Sequence, residues 1–244
     1  MSLHAAAAEL LVSDAWLSRT LGVPAFALRL PLPQNVAAQL ARLPSKAFCF
    51  AKVPEADTTS CMALQSAGFA HVDTQVTLER TADPAPAAPR VEVRVAETGD
   101  REAVLDIAGS SFRFSRFHQD ATIGTQTAHA VKRAWAANCL DGKRGEEVLV
   151  ALHEGRPAGF LAVLLAADAA IIDLIAVATS SQRHGIGSAL VDAFIARWRG
   201  RSPRLRVGTQ AANAASLRLY EGRGFRPVAR TTVWHAHLRN GKPA

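Results

Sequence analysis

The residues best placed to do chemistry are Gln182, Arg183, His184, Gly185, Ile186, Gly187 and Ser188. They follow an apolar, β-branched run, Ala170-Ile171-Ile172-Asp173-Leu174-Ile175-Ala176-Val177. They lead into apolar residues at helical spacing: Ile186, Leu190, Phe194 and Trp198. A strand, a glycine-bearing loop and a helix N-terminus therefore meet here. Backbone N–H groups converge on one spot, and the helix dipole favours negative charge there. Glycine lets an anion approach without a Cβ in the way, and a pyrophosphate suits such a place. A Walker loop is excluded because no Lys follows Gly187. A dinucleotide GxGxxG loop fails because Leu190 stands where the third glycine belongs. An ordinary strand-to-helix turn would also carry these glycines, so the loop alone does not decide.

A second group of residues lies downstream. Leu205 to Gln210 reads as a strand, and Asn213 then opens Asn213-Ala214-Ala215-Ser216-Leu217-Arg218-Leu219-Tyr220, which runs on to Gly224-Phe225. Asn is a favoured N-cap and Gly a favoured helix stop, so a short capped helix is predicted. It carries Tyr220, the only tyrosine of the chain, near its C-terminal end. Together, the Q-R-x-G-x-G loop and the N-x-x-S-L-x-L-Y-x-x-x-G-F helix resemble the GNAT superfamily of acetyl-CoA-dependent N-acetyltransferases.

Several elements must position these residues. Val91 to Val95 alternates as a strand. Asp100 can cap a helix through Ala108, and a second helix is expected from about 123 to 139. Strands over Glu147–Leu152 and Ala158–Leu165 flank the turn His153-Glu154-Gly155-Arg156. The strand at 170–177, the loop and the helices follow, in the order βααβββαβαβ shared with GNAT domains. The resemblance covers residues 91 to 238 and implies an α/β (α+β) fold, with a central mixed, mostly antiparallel sheet flanked by helices.

Before this part, Thr81 to Pro89 is proline-rich and cannot continue a helix or an inner strand. The expected organisation is an N-terminal domain over 1–80, a linker over 81–90 and a catalytic domain over 91–244. The N-terminal part holds a weaker copy of the ending. Asp57, Ser60, Leu64 and Gly68-Phe69 fall at constant offset on Asn213, Ser216, Tyr220 and Gly224-Phe225. This reads as a partial GNAT-like domain with Leu64 at the tyrosine position and no glycine loop. A partial domain joined to a complete one resembles the acetyltransferases of TDP-linked 4-amino-4,6-dideoxyhexoses. The likeness extends to Ser115-Arg116-Phe117 and to the ending Thr231-Thr232-Val233-Trp234. His118-Gln119-Asp120 departs from that pattern.

Composition sets the bounds. A chain of 244 residues, 49% hydrophobic, can bury a large core in one or two domains. Cys49, Cys61 and Cys139 are widely spaced, so neither a disulfide framework nor a zinc site is indicated; reduced, buried thiols and no metal are expected. No secretory leader is apparent, and the uncharged run Pro157–Ala167 is too short to cross a bilayer. A soluble, cytoplasmic protein with no membrane partner is expected. The formal charge is +7. Between Ser181 and Arg226 nine arginines face only Asp192 and Glu221, so this segment alone carries that excess. A basic field beside an anion site raises the on-rate for a polyanion such as coenzyme A. Neither aromatic platforms nor a recognition helix points to nucleic acid.

The resemblance implies direct acetyl transfer from acetyl-CoA to a primary amine. It also implies that the strand at 170–177 splays from the one at 205–210, with the pantetheine arm between them. Backbone N–H groups near Ile175, Ala176 and Val177 would polarise the thioester carbonyl. The pyrophosphate would sit on Gln182 to Ser188, with Asn213 nearby. Tyr220 would protonate the leaving thiolate; taken alone it is an ordinary half-buried aromatic. The base is open between Asp173, His118 and water alone. The acceptor loop would be Ser111 to Gln119, with Arg113, Arg116 and Phe117 as substrate contacts. Alternatives are a peptide, polyamine or aminoglycoside amine, or a non-catalytic acyl-CoA-binding module. The oligomeric state is left open, a homodimer included.

Overall fold

The computed structural model describes residues 10–32, 35–81 and 91–243. In chain order the elements are β1 (Leu11–Ser13), α1 (Ala15–Leu21), β2 (Ala25–Leu28), α2 (Val36–Leu40), β3 (Ala47–Pro54), α3 (Thr58–Ser66) and β4 (Ala70–Thr81). Then come β5 (Val93–Val95), α4 (Arg101–Ser110), α5 (Arg116–Gln119), α6 (Thr125–Leu140), β6 (Glu147–His153), β7 (Arg156–Ala166) and β8 (Ala169–Val177). The chain ends with α7 (Ile186–Trp198), β9 (Arg204–Gln210), α8 (Ala214–Glu221), β10 (Arg226–Arg239) and β11 (Lys242–Pro243).

Two compact units emerge. One holds residues up to Thr74 together with Gln119–Thr122 and those from Arg230 on; the other holds Gln75–His118 and Ile123–Ala229. A cut at the proline-rich connector does not produce this division. Residues 82–90 of that connector, and the alanine-rich start of the chain, lie outside the described residues. β4 and β10 each run through both units, because a strand belongs with the strands it hydrogen-bonds rather than with its neighbours in sequence.

In the first unit β1 pairs antiparallel with β2, β2 parallel with β3, and β3 antiparallel with β10. Its core gathers Leu40, Cys49, Val53, Leu64, Phe69 and Trp234. Cys61 is half-buried rather than buried, and all three cysteines are free thiols.

In the second unit β9 pairs antiparallel with β4 and parallel with β8; β8, β7, β6 and β5 follow, antiparallel throughout. Side chains alternate across a strand, and the two faces of this sheet have separate cores. Leu149 and Ala151 face α7, through Ile186, Leu190, Phe194 and Trp198. Val148 and Val150 face α4 and α6, through Val104, Leu105, Ala136 and Cys139. The helix start expected at Asp100 differs in detail. Its carboxylate instead accepts from Glu97 N–H at 2.8 Å and from both terminal nitrogens of Arg94.

One irregularity matters for function. Ala162 pairs with Leu174 and Val163 with Ile172, so Asp173 is an extra residue on β8. An inserted residue reverses which face the following side chains take. Ala170 and Ile172 lie in the α7-side core; beyond the bulge Leu174 and Ala176 lie in the opposite one. Ile175 and Val177 are thereby turned toward α7.

Candidate active site

The second unit contains a cavity of about 650 Å³. Its wall is made where β8 and β9 part. Their parallel register ends at Ile172 with Val207, although β8 continues to Val177 and β9 to Gln210. Beyond that point the facing edge of β8 has no β9 partner, and Asp173 to Val177 and Gly208 to Gln210 line the opening. Unpaired strand edges are rare inside a sheet because their polar groups need partners. Here they meet a cavity that a ligand can enter.

α7 begins at one end of this opening. Its N-cap is Gly185, at φ 77° in the left-handed region, and no side chain caps the helix. The first N–H groups of a helix lack intrahelical acceptors, so these remain available to an anion. Gly159 fixes how closely α7 approaches the sheet: a Cβ there would stand 2.9 Å from Ile186 Cγ2 and 3.0 Å from the Ala176 carbonyl oxygen. Gln182, Arg183, Gly185, Ile186, Gly187 and Ser188 all line the cavity. His184 does not; its ring packs 5.0 Å from that of His153.

α8 supplies the remaining groups on that side. Asn213 Oδ1 caps it by accepting from Ser216 N–H at 3.2 Å. Asn213 and Tyr220 both line the cavity. Tyr220 is 2% exposed, and burial pushes its phenol above the usual tyrosine range. It therefore remains protonated at neutral pH, the form a general acid requires.

Of the two candidate bases, Asp173 lines the cavity and His118 does not. Asp173 is fully engaged: its Oδ2 accepts from Trp135 Nε1 at 2.8 Å and Arg144 Nε at 2.7 Å, and its Oδ1 accepts from Arg144 Nη2 at 2.7 Å. These bonds hold Asp173 against Trp135 and Arg144. His118 Nδ1 lies 2.7 Å from Ser115 Oγ. Burial first, then the charges of His129, Lys132 and Arg113, lowers its pKa to about 4. It is neutral at pH 7, but so weak a base is ill-matched to abstracting a proton there.

The acceptor end differs from expectation. Arg113 lines the cavity, but Arg116 stacks 4.3 Å over Phe117, which is itself buried at 1% exposure, and neither reaches the wall. Phe117 is spent on packing. The wall instead includes Phe112, Lys132 and Trp135. Lys132 is 8% exposed, its Nζ 4.6 Å from the Phe112 ring centre and 4.8 Å from that of Trp135. A signal existed: Lys132 interrupts the buried α6 stripe of Ala128, Val131, Ala136 and Cys139, and a Lys on such a stripe is seldom there for packing alone. The basic segment 181–226 is also less cofactor-directed than its charge implies. Arg197 pairs with Glu147, Arg206 with Glu79 and Arg223 with Asp192.

Splayed parallel strands, an uncapped helix start and a buried phenol share one cavity, and the sequence places the chain in a family. The Acetyltransferase (GNAT) family matches residues 102–225, and the chain belongs to that family. Members of that family generally take an acetyl group from acetyl-CoA. Among particular relatives, the spore coat polysaccharide biosynthesis protein SpsD of Bacillus subtilis (strain 168) is 32% identical over 157 residues, 64% of this chain and 53% of that protein. The chain thus spans about half the length of this curated relative. The fold is shared with a GCN5-related N-acetyltransferase from Sphaerobacter thermophilus (TM-score 0.59, 16% identity, 85% of this chain and 65% of that one). It is also shared with a tandem GNAT protein of the clavulanic acid biosynthesis pathway (TM-score 0.53, 16% identity, 81% and 65%). Among the described residues no helix is long and apolar enough to cross a membrane.

Proposed function

We propose that the chain acetylates the primary amine of a nucleotide-linked sugar, most specifically a TDP-linked 4-amino-4,6-dideoxyhexose, using acetyl-CoA in the cytoplasm. The observation that carries this reading is the shared wall. The anion-ready start of α7, the unpaired edge of β8 and Tyr220 border the same cavity as Arg113 and Lys132. When bound, acetyl-CoA supplies an activated acetyl group as a thioester. Gly185 to Ser188 would hold its pyrophosphate through backbone N–H groups, and Arg183 would add charge beside them. The free edge of β8 from Leu174 to Val177 would align the donor and offer N–H groups to the thioester. Tyr220 Oη would give its proton to the departing sulfur as the amine nitrogen bonds to the acetyl carbon, and the proton that this nitrogen sheds would leave through water, which returns one to the phenol. Burial of Tyr220 keeps its proton in place until the thiolate departs. Asp173 holds Trp135 and Arg144 in position and is assigned no proton transfer.

The acceptor assignment has chemical support. Three cations, Arg113, Lys132 and Arg183, line the cavity, while its one carboxylate, Asp173, is neutralised by Arg144. Cationic amines such as polyamines or aminoglycosides would be repelled; a diphosphate is attracted. Phe112 and Trp135 offer rings to a sugar or base. The relationship to a polysaccharide biosynthesis protein points the same way.

The test is a panel of amines offered with acetyl-CoA, following thiol release. Turnover is expected with TDP-amino sugars, and Arg113→Ala should raise their KM while leaving coenzyme A affinity intact. Acetylation of spermidine, aminoglycosides or peptide amines, with every TDP-amino sugar ignored, would overturn the acceptor and leave the acetyltransferase assignment standing.

A further inference from the structure

A second cluster of reactive side chains lies in the first unit, away from the acetyl-transfer residues in sequence. His235 and His237 sit two residues apart on β10, so both imidazoles project from one face of the strand. They pair across the ladder with Phe50 and Phe48 of β3. Asp120, from the short segment between α5 and α6, meets them. His235 Nδ1 lies 2.6 Å, and His237 Nε2 2.7 Å, from the same oxygen, Asp120 Oδ2. The other oxygen, Oδ1, accepts from Thr122 N–H at 2.9 Å.

From this juxtaposition we infer that Asp120, His235 and His237 bind one divalent transition-metal ion, with zinc the best match to the donor set. Two imidazoles and one carboxylate are a recurring three-ligand set for such ions, leaving one position open. One ligand atom from each residue lies within 4.8 Å of the other two, so small side-chain adjustments bring all three to the roughly 2.0–2.2 Å that one zinc ion requires. The surroundings are those of a built site. Asp120 is 5% and His235 1% exposed, so the ligands are held rigidly out of water. Thr122 N–H orients the carboxylate, as outer partners orient metal ligands. The Phe48 ring packs against both imidazoles, with centroids 4.7 Å from His235 and 5.2 Å from His237. His237 alone is partly open, its side chain 21% exposed, which gives an entry path and a place for a fourth ligand.

Without metal, protons fill the spaces between nitrogen and oxygen; metal uptake must expel them and weaken as pH falls. The ion would tie the Gln119–Thr122 segment to β10. Cysteine spacing, on which the sequence excluded a metal, is blind to a His-x-His strand completed by a remote Asp.

The test uses the full-length chain with any affinity tag removed, stripped with chelator and titrated with Zn²⁺ against a chromophoric competitor, then with Co²⁺ by visible absorption. One equivalent per chain is expected, with the absorption of a low-coordinate Co²⁺ site. His237→Gln and Asp120→Asn should each weaken zinc binding by more than the roughly 10–100-fold typical of losing an outer-shell partner. His153→Gln, which alters another close imidazole pair, should leave binding unchanged. Circular dichroism checks folding; His237 is the more open ligand, so its variant decides the matter if Asp120→Asn unfolds. No saturable uptake, or uptake that survives in folded His237→Gln, would overturn the assignment.

Discussion

The segments β3–α3–β4 and β9–α8–β10 are built alike and equipped differently. In each, an Asx side chain caps the helix three residues ahead: Asp57 Oδ1 accepts from Ser60 N–H at 3.0 Å, and Asn213 Oδ1 from Ser216 N–H at 3.2 Å. In each, a left-handed glycine ends the helix, Gly68 at φ 86° and Gly224 at φ 80°. A buried phenylalanine then bonds back, Phe69 N–H to the Leu64 carbonyl at 3.0 Å and Phe225 N–H to the Tyr220 carbonyl at 3.1 Å. The frames match bond for bond, yet the residue whose carbonyl closes each is Leu64 in one and Tyr220 in the other. Neighbouring pairing differs as well. All four residues of β2 pair with β3, whereas only the first four of β8 pair with β9. The first unit also has a cavity, of about 520 Å³, but no Arg, Lys or first-turn helix residue lines it. A shared local frame is therefore compatible with chemistry in one place and packing in the other. What separates them is an unpaired strand edge, a free helix start and one phenol.

The two closing residues offer the sharpest contrast. Tyr220→Phe is expected to lower kcat roughly 10²–10⁴-fold with donor affinity retained, the scale of a positioned general acid. Steady-state kinetics with a calorimetric check of coenzyme A binding would measure it, and wild-type turnover would reduce Tyr220 to packing. Leu64→Ala, at the matching position and fully buried, is expected to cost about 2–5 kcal/mol of stability. The donor affinity of the folded fraction should not change. A selective loss of coenzyme A binding in Leu64→Ala would break the distinction.

Asp173→Asn separates positioning from proton transfer. Weakening its bonds to Trp135 and Arg144 should cost about 1–3 kcal/mol in urea denaturation, below the scale of a buried pair because Arg144 is 39% exposed. A fall in kcat as large as that of Tyr220→Phe, in a folded variant, would restore Asp173 as the base. A further expected effect is one of pH. His118 has a folded pKa near 4, below its ordinary 6.5. Between those values the unfolded chain binds more protons than the folded one, so stability falls as pH drops from about 6.5 toward 4. Denaturation of wild type and His118→Gln across that window should show a shallower fall in the variant; parallel curves would mean His118 contributes nothing.

Much of this was legible beforehand because it is local. Caps, glycine stops and apolar spacing act over a few residues, so α7, α8, the β6–β7 hairpin and the loop 182–188 could be read directly. Three features were not. The Asp173 bulge leaves no mark in alternation, since Ala170, Ile172, Leu174 and Ala176 look continuous while changing faces. Grouping β10 with β3 depends on long-range pairing, which the connector's prolines do not report. Arg116 and Phe117 drew attention by type and position in the loop, but only packing shows them turned from the cavity while Lys132 lines it.

The central claim is that one end of this chain, the start of α7 beside splayed β8, holds the acyl donor, and that the matching frame near α3 does not. Isothermal titration of coenzyme A into wild type and Gly187→Asp tests it most directly. A Cβ at Gly187 would meet only Leu219 and Val177, at 3.6 and 3.7 Å, so the variant should fold. The aspartate would set negative charge against the pyrophosphate. The expected result is one equivalent bound by wild type and none detectable in the variant. Two equivalents in wild type, or unchanged affinity in folded Gly187→Asp, would contradict it.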